Sequence, residues 1–238
     1  MSASSSKSAL LVDVGGVLLL LNRRELAPVI ADFGGVRTSE DFYRAHCAAH
    51  NAAHPAHGDS RDYYEILPEY AGVPEDRRSE CSRAYRAACA TRNMWHDPDP
   101  QSKAALADFT AGGVKVAIVS QADGRIADML RTARMCQQGP GPGVEVDQVF
   151  DSAVVGLNKP DPRFFLHATT ALGVTPDQAV HVGDTVPADV VGARNAGILA
   201  VHYDPFDDCD AAGDHDHVRE LAEMSRYLTS DRSSPAPR

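Results

Sequence analysis

Ala9-Leu10-Leu11-Val12-Asp13-Val14-Gly15-Gly16-Val17-Leu18 is the stretch whose reading decides the fold. A short apolar run ends in a carboxylate and a two-glycine turn, which fits a strand buried on both faces in a parallel sheet. The wider run Ala9 to Leu21 is too short to span a bilayer as a helix. Asp13 interrupts it, and Arg23-Arg24 follow rather than precede it, so it is neither a signal core nor an anchor. A strand, a turn and a second short strand are the expected reading.

Downstream, the pattern alternates. Strands are expected at Val114 to Val119, Gln148 to Phe150, Ala179 to Val182 and Ile198 to His202. Helices are expected at Ser102 to Thr110, Arg125 to Cys136, Pro162 to Leu172 and Ala188 to Ala196. Glycines at Gly112-Gly113, Gly173 and Gly197 mark helix stops. Strands alternating with helices imply an α/β fold with a parallel sheet covered on both faces.

From about Leu26 to Trp95 the alternation fails. That segment reads as helices at Glu25 to Phe33, Ser39 to Ala53, Ser60 to Ala71 and Glu75 to Arg92, with no convincing strand. The expected organisation is a core domain of residues 9–22 and 96–229, an inserted helical domain of residues 23–95, and flexible termini at 1–8 and 230–238. Asp97-Pro98-Asp99-Pro100 reads as a linker, Gly139 to Gly143 as an exposed connector, and His217 to Leu228 as a last helix.

The chain of 238 residues carries a formal net charge of −10, which disfavours nucleic acid and anionic membranes as partners. Its five cysteines, Cys47, Cys81, Cys89, Cys136 and Cys209, are irregularly spaced without a CxxC. No disulfide framework or zinc knuckle is expected, and reduced thiols in the cytoplasm are the simplest reading.

The chemistry-bearing residues sit at strand ends, where open parallel sheets bind ligands. Asp13 ends the first strand and Ser120 the second core strand. Lys159 lies in Asn158-Lys159-Pro160-Asp161, and Asp184 and Asp189 lie in Gly183-Asp184-Thr185-Val186-Pro187-Ala188-Asp189. A carboxylate can attack phosphorus and form an aspartyl phosphate. A hard cation such as Mg²⁺ relieves the repulsion between carboxylates and a phosphate dianion. Asp13 and Asp184 are its natural ligands, with the Gly15 carbonyl a further oxygen and Asp189 either a ligand or a partner of one. Lys159 would neutralise charge and Ser120 would donate to a phosphoryl oxygen. Gly15, Gly16 and Gln121 complete the candidate substrate contacts in this region.

Together these motifs resemble the haloacid dehalogenase (HAD) superfamily. Leu11 to Leu18 matches its first motif, Ser120 the second, Lys159-Pro160 the third and Gly183-Asp184 through Asp189 the fourth. Gly192 to Gly197 is similar to the helix that follows. The resemblance implies a Rossmann-like core, Mg²⁺, Asp13 as nucleophile and a mobile helical cap. The expected function is hydrolysis of a small phosphorylated metabolite by a monomer or homodimer.

One position departs from the family pattern. Its phosphatases carry a second Asp two residues after the nucleophile, as general acid and base; here that position is Gly15. A phosphatase with a good leaving group, or with an acid from elsewhere, is one reading. A phosphonate hydrolase would need a cap lysine, and Leu26 to Trp95 contains none. A 2-haloacid dehalogenase and a catalytically silent binding protein are the others. His46, His50, His54 and His57, at helical spacing, form a solvated helix face, a metal site or a source of substitute acid, with His46 and His50 the candidates to face substrate. His215 and His217, among Asp214 and Asp216, read as part of a solvated loop, with a site for a stray cation as the alternative.

Overall fold

The computed structural model describes residues 7–53, 61–209 and 215–228. In chain order they form β1 (Ala9–Val12), β2 (Leu19–Leu21), α1 (Arg23–Asp32), α2 (Ser39–Ala52), α3 (Tyr63–Tyr70), α4 (Glu75–Thr91), β3 (Trp95–Pro98), α5 (Pro100–Ala111), β4 (Lys115–Ser120) and α6 (Ile126–Thr132). There follow β5 (Cys136–Gln138), β6 (Val144–Val146), β7 (Gln148–Asp151), α7 (Ser152–Val155), α8 (Pro162–Leu172), β8 (Ala179–Gly183), a π-helical turn (Val186–Val190), α9 (Val191–Asn195), β9 (Leu199–Tyr203) and β10 (Asp216–Val218). The chain divides into two compact units, residues 1–19 with 98–238, and residues 20–97.

The first unit is the expected α/β core. Its six strands pair in the order β10-β9-β8-β1-β4-β7, and every registered pair is parallel. β1 lies between β4 and β8, so both its edges are hydrogen-bonded and all four of its residues are buried. That is why its sequence is continuously apolar rather than alternating. Val12 pairs with Ile118 and with Val182, so Asp13, Ser120 and Asp184 lie at the carboxyl ends of their strands, within two residues of each other in register. Ala9, Leu11, Ala117, Val119 and Phe150 form one core cluster with Phe164, Phe165 and Ala168 of α8 and Ala193 of α9.

Local signals set most helix limits. Asp161 caps α8 by accepting from the Arg163 amide, Pro162 opens it, and Gly173 closes it at φ 65°. α5 starts at Pro100, two residues before the expected start, because Asp99 caps it by accepting from the amides of Gln101 and Ser102. α6 is shorter than expected, because Arg134 adopts φ 55° and the chain then extends into β5. The Gly139 to Gly143 connector joins β5 to β6. The Gln137 side chain holds it, accepting from the Gly143 amide and donating to the Gly139 carbonyl.

Three expectations are corrected at the ends. The last helix does not run from His217 to Leu228: His217 lies in β10 beside β9, and only a 3₁₀ turn, Leu221–Arg226, follows. Lys7 and Ser8 are held rather than frayed, by the carbonyls of Tyr227 and Gln178. The Asp97-Pro98 linker is preceded and partly formed by a strand, β3, which pairs with β2 where the chain passes between the units.

The second unit is helical. Asn22, Thr38 and Asp62 cap α1, α2 and α3, the last through a capping box with Glu65. Asp62 therefore starts α3 at Tyr63; the expected start, Ser60, lies outside the described residues. Leu26, Ile30, Phe42, Ile66, Leu67 and Tyr85 are buried in it.

Candidate active site

Lys159 is the centre of the site's electrostatics. Its ammonium donates to Asp13 Oδ1 at 2.7 Å and to Asp189 Oδ1 at 2.6 Å, and the three side chains are 2%, 11% and 1% exposed. The Lys159–Pro160 peptide is cis. Burial acts to depress the Lys159 pKa, but Asp13 and Asp189 outweigh it and hold the ammonium above its ordinary range. For Asp13, burial dominates. It raises the carboxyl from 3.8 to about 7; Lys159 opposes the rise, and Asp189 and Asp184 add to it.

Asp189 behaves differently because four donors converge on it. Oδ1 accepts from Lys159 and faces His181 Nε2 at 2.9 Å, while Oδ2 accepts from the Thr185 amide at 3.1 Å and the Thr185 hydroxyl at 2.5 Å. Burial works against its ionisation, yet Lys159 and then His181 hold it well below the usual carboxylate range. His181 is fully buried in β8, with Nδ1 3.1 Å from the Leu11 carbonyl. Burial lowers its pKa despite the Asp189 contact.

Asp13, Asp184 and Asp189 each present a carboxylate oxygen, and these lie within 4.8 Å of one another. A Cβ on Gly16, whose φ is 73°, would collide with the Asp184 carboxylate, and one on Gly183 would collide with Asp189. The glycines therefore provide the volume in which the acidic cluster packs. An all-oxygen donor set of this kind fits a hard cation such as Mg²⁺.

Ser120 is buried at the end of β4, and Gln121 beyond it is exposed. The loop after Ser120 is fixed by residues that sequence reasoning missed. Asp151 accepts from the amides of Gly124, Ile126 and Ala153, and the Ser152 hydroxyl bonds Ala122 through both its amide and its carbonyl. His181 and Thr185 were missed likewise. Thr185 carries one sequence signal, its place directly after Asp184.

His46 and His50 lie on α2 of the helical unit. The expectation of a solvated face is overturned for His46, which is 1% exposed. Its Nδ1 pairs with the Tyr63 hydroxyl at 2.7 Å, and its ring contacts those of Tyr43, His50, Tyr63 and Trp95. Burial, and next His50, push its pKa well below the ordinary value, so it is neutral at pH 7. His54 and His57 lie outside the described residues.

The model of the haloacid dehalogenase-like hydrolases matches residues 7–197. This chain belongs to that family. Among curated HAD relatives, phosphoserine phosphatase of Thermus thermophilus is 33% identical over 144 residues, 60% of this chain and 53% of that protein. N-acylneuraminate-9-phosphatase of Rattus norvegicus is 27% identical over 183 residues, 74% and 66% of the two chains. The chain spans between 40% and 53% of the length of the first curated relatives it matches. The solved structure of the putative HAD-hydrolase YfnB from Bacillus subtilis, bound to magnesium, shares the fold. Its TM-score is 0.61 at 14% identity, over 94% of this chain and 100% of that one. Among the described residues no helix is long and apolar enough to cross a membrane.

Proposed function

We propose that this chain is a Mg²⁺-dependent phosphohydrolase that moves the phosphoryl group of a small phosphate monoester first to Asp13 and then to water. The observation that carries the reading is the buried Lys159–Asp13 contact. It places a buried ammonium on the carboxylate, where it opposes the rise in pKa that burial imposes.

In this reading an Asp13 oxygen attacks phosphorus in line. The ester P–O bond breaks, and its electron pair leaves with the substrate oxygen. Water then attacks phosphorus, the acyl-phosphate P–O bond breaks, and inorganic phosphate and the Asp13 carboxylate are released. Lys159 balances the charge gathered around Asp13, and the Ser120 hydroxyl donates to a phosphoryl oxygen. Asp13, Asp184 and the Gly15 carbonyl are assigned to hold Mg²⁺, which when bound supplies Lewis-acid stabilisation of phosphoryl charge. Asp189, occupied by four donors, is assigned to orient Lys159 and the Thr185 backbone rather than to ligate the metal.

Gly15 offers no acid to the leaving oxygen, so substrates with weakly basic leaving oxygens turn over fastest. The helical unit is assigned the role of a cap that selects substrate. Its neutral His46 is suited to a hydrogen bond rather than to delivering a proton, and His50 is its ring-stacked neighbour.

The test is a panel of phosphate esters assayed with Mg²⁺, with EDTA and with Asp13→Asn. Turnover that needs both the metal and Asp13 supports the reading, and turnover surviving Asp13→Asn contradicts it. Halide release from a 2-haloacid, without ester turnover, replaces it with a dehalogenase.

A further inference from the structure

A second cluster of ligating side chains lies in the core unit, apart from the acidic centre. His202 is the penultimate residue of β9, Cys209 lies after that strand, and His215 and His217 bracket the start of β10. Parallel pairing of β9 with β10 sets His202 and His217 opposite each other in register. One ligand atom from each of the four residues falls within 4.8 Å of every other.

The spacing is that of a tetrahedral site. Zn–N bonds of about 2.0–2.1 Å and a Zn–S bond of about 2.3 Å separate two nitrogens by about 3.4 Å, and a nitrogen from the sulfur by about 3.6 Å. His202 Nδ1 and His215 Nε2 are 3.4 Å apart, and Cys209 Sγ and His215 Nε2 are 3.8 Å apart. The N···N separation is longer than an ordinary hydrogen bond. The stacked His215 and His217 rings, 4.5 Å between centroids, add a third imidazole.

The opposite edges of two rings are engaged in the manner of metal-bound imidazoles. His202 Nε2 faces the Asp184 carbonyl at 3.1 Å, which turns Nδ1 toward the cluster. His217 Nδ1 faces the Asp204 carboxylate at 3.4 Å, while its buried Nε2 has no hydrogen-bond partner among the described residues. Carbonyl and carboxylate partners of this kind fix the tautomer and raise ligand basicity. Asp204 also accepts from the amides of Asp208 and Cys209, so one carboxylate orders both a ring and the thiol-bearing loop.

We propose that His202 Nδ1, Cys209 Sγ, His215 Nε2 and His217 Nε2 form a structural site for a borderline-soft divalent transition ion of the zinc type. One thiolate and three imidazoles suit such an ion and not Mg²⁺, which the all-oxygen cluster at Asp13 and Asp184 fits. Four protein ligands leave no position for water or substrate, so the site is structural. It ties Cys209 and His215 to the strand end beside Asp184.

The test uses the full chain, stripped by a chelator and titrated with Co²⁺ as a spectroscopic probe. The expected result is one equivalent bound with a thiolate-to-cobalt charge-transfer band that Zn²⁺ removes. Cys209→Ser abolishes the band, His217→Gln weakens binding at least about tenfold, and Asp13→Asn leaves the band intact. In the wild-type protein, independently of how any variant folds, Zn²⁺ protects Cys209 alone among the five cysteines from alkylation, read by mass spectrometry. No band in the wild type, a band that survives Cys209→Ser, or a Cys209 alkylated equally with and without Zn²⁺ each overturns the site.

Discussion

Gly16 and the Asp184 carboxylate share one small volume: the turn after β1 has no Cβ at the point where Asp184 packs. Gly16→Ala therefore adds a clash to the strain of φ 73°. Left-handed backbone at a non-glycine residue costs about 1–2 kcal/mol. The variant is expected to lose about 1–3 kcal/mol in denaturant unfolding, and to bind Mg²⁺ at least about tenfold more weakly by calorimetry. Unchanged metal affinity would mean that Asp184 is not positioned through this turn.

Lys159→Gln removes the ammonium shared by two buried carboxylates. Breaking a buried ion pair costs about 3–5 kcal/mol. Asp13 can relieve part of this by taking up a proton, so a loss of about 3 kcal/mol in unfolding free energy is expected. Turnover of phosphate esters should fall by about 10² or more. A variant as stable and as active as the parent contradicts the role assigned to Lys159.

The raised Asp13 pKa gives a signed pH effect. Below about 7 the metal-free carboxyl holds a proton, and above it the carboxylate is ready to bind. Proton and metal compete, so Mg²⁺ affinity should rise with pH through this window and level off above it. Calorimetry should find Mg²⁺ bound at least about tenfold more tightly at about pH 8 than at about pH 5.5. The dependence should be lost in Asp13→Asn. A flat profile in the parent protein excludes Asp13 as a ligand that titrates near neutrality.

Gly15→Asp restores a carboxyl two residues after Asp13. It should raise kcat for alkyl phosphates by about 10–10² and change that for aryl phosphates little, since general acid help is worth most for basic leaving oxygens. An equal effect on both classes would show that leaving-group protonation does not limit turnover.

Much of the core was legible because its signals are local. Asp13, Ser120 and Asp184 end apolar runs, and Pro162 with Gly173 brackets α8 at the limits observed. His181 was not legible: in Ala179–Gly183 it reads as one more residue of a buried strand, and it is the placement of Asp189 on the following π-helical turn that gives its Nε2 a partner. Asp151 escaped notice for a similar reason, since its three donors come from both sides of the β4–β7 pairing. The β10 strand was misread as helix because three residues carry no periodicity; pairing with β9 defines it. That same register brings His202 to His217, so irregular Cys and His spacing hid a cluster built by tertiary contact. On α2, spacing placed His46 correctly on one face but could not say that Tyr63 and Trp95 bury it.

The central claim is covalent attack by Asp13, and borohydride trapping during turnover tests it most directly. Reduction of an aspartyl phosphate gives homoserine, which peptide mass spectrometry locates. Homoserine at residue 13, formed only when a turned-over phosphate ester and Mg²⁺ are both present and absent from Asp13→Asn, is the predicted result. An enzyme that turns the ester over steadily, yet leaves residue 13 unmodified under the same quench, contradicts it.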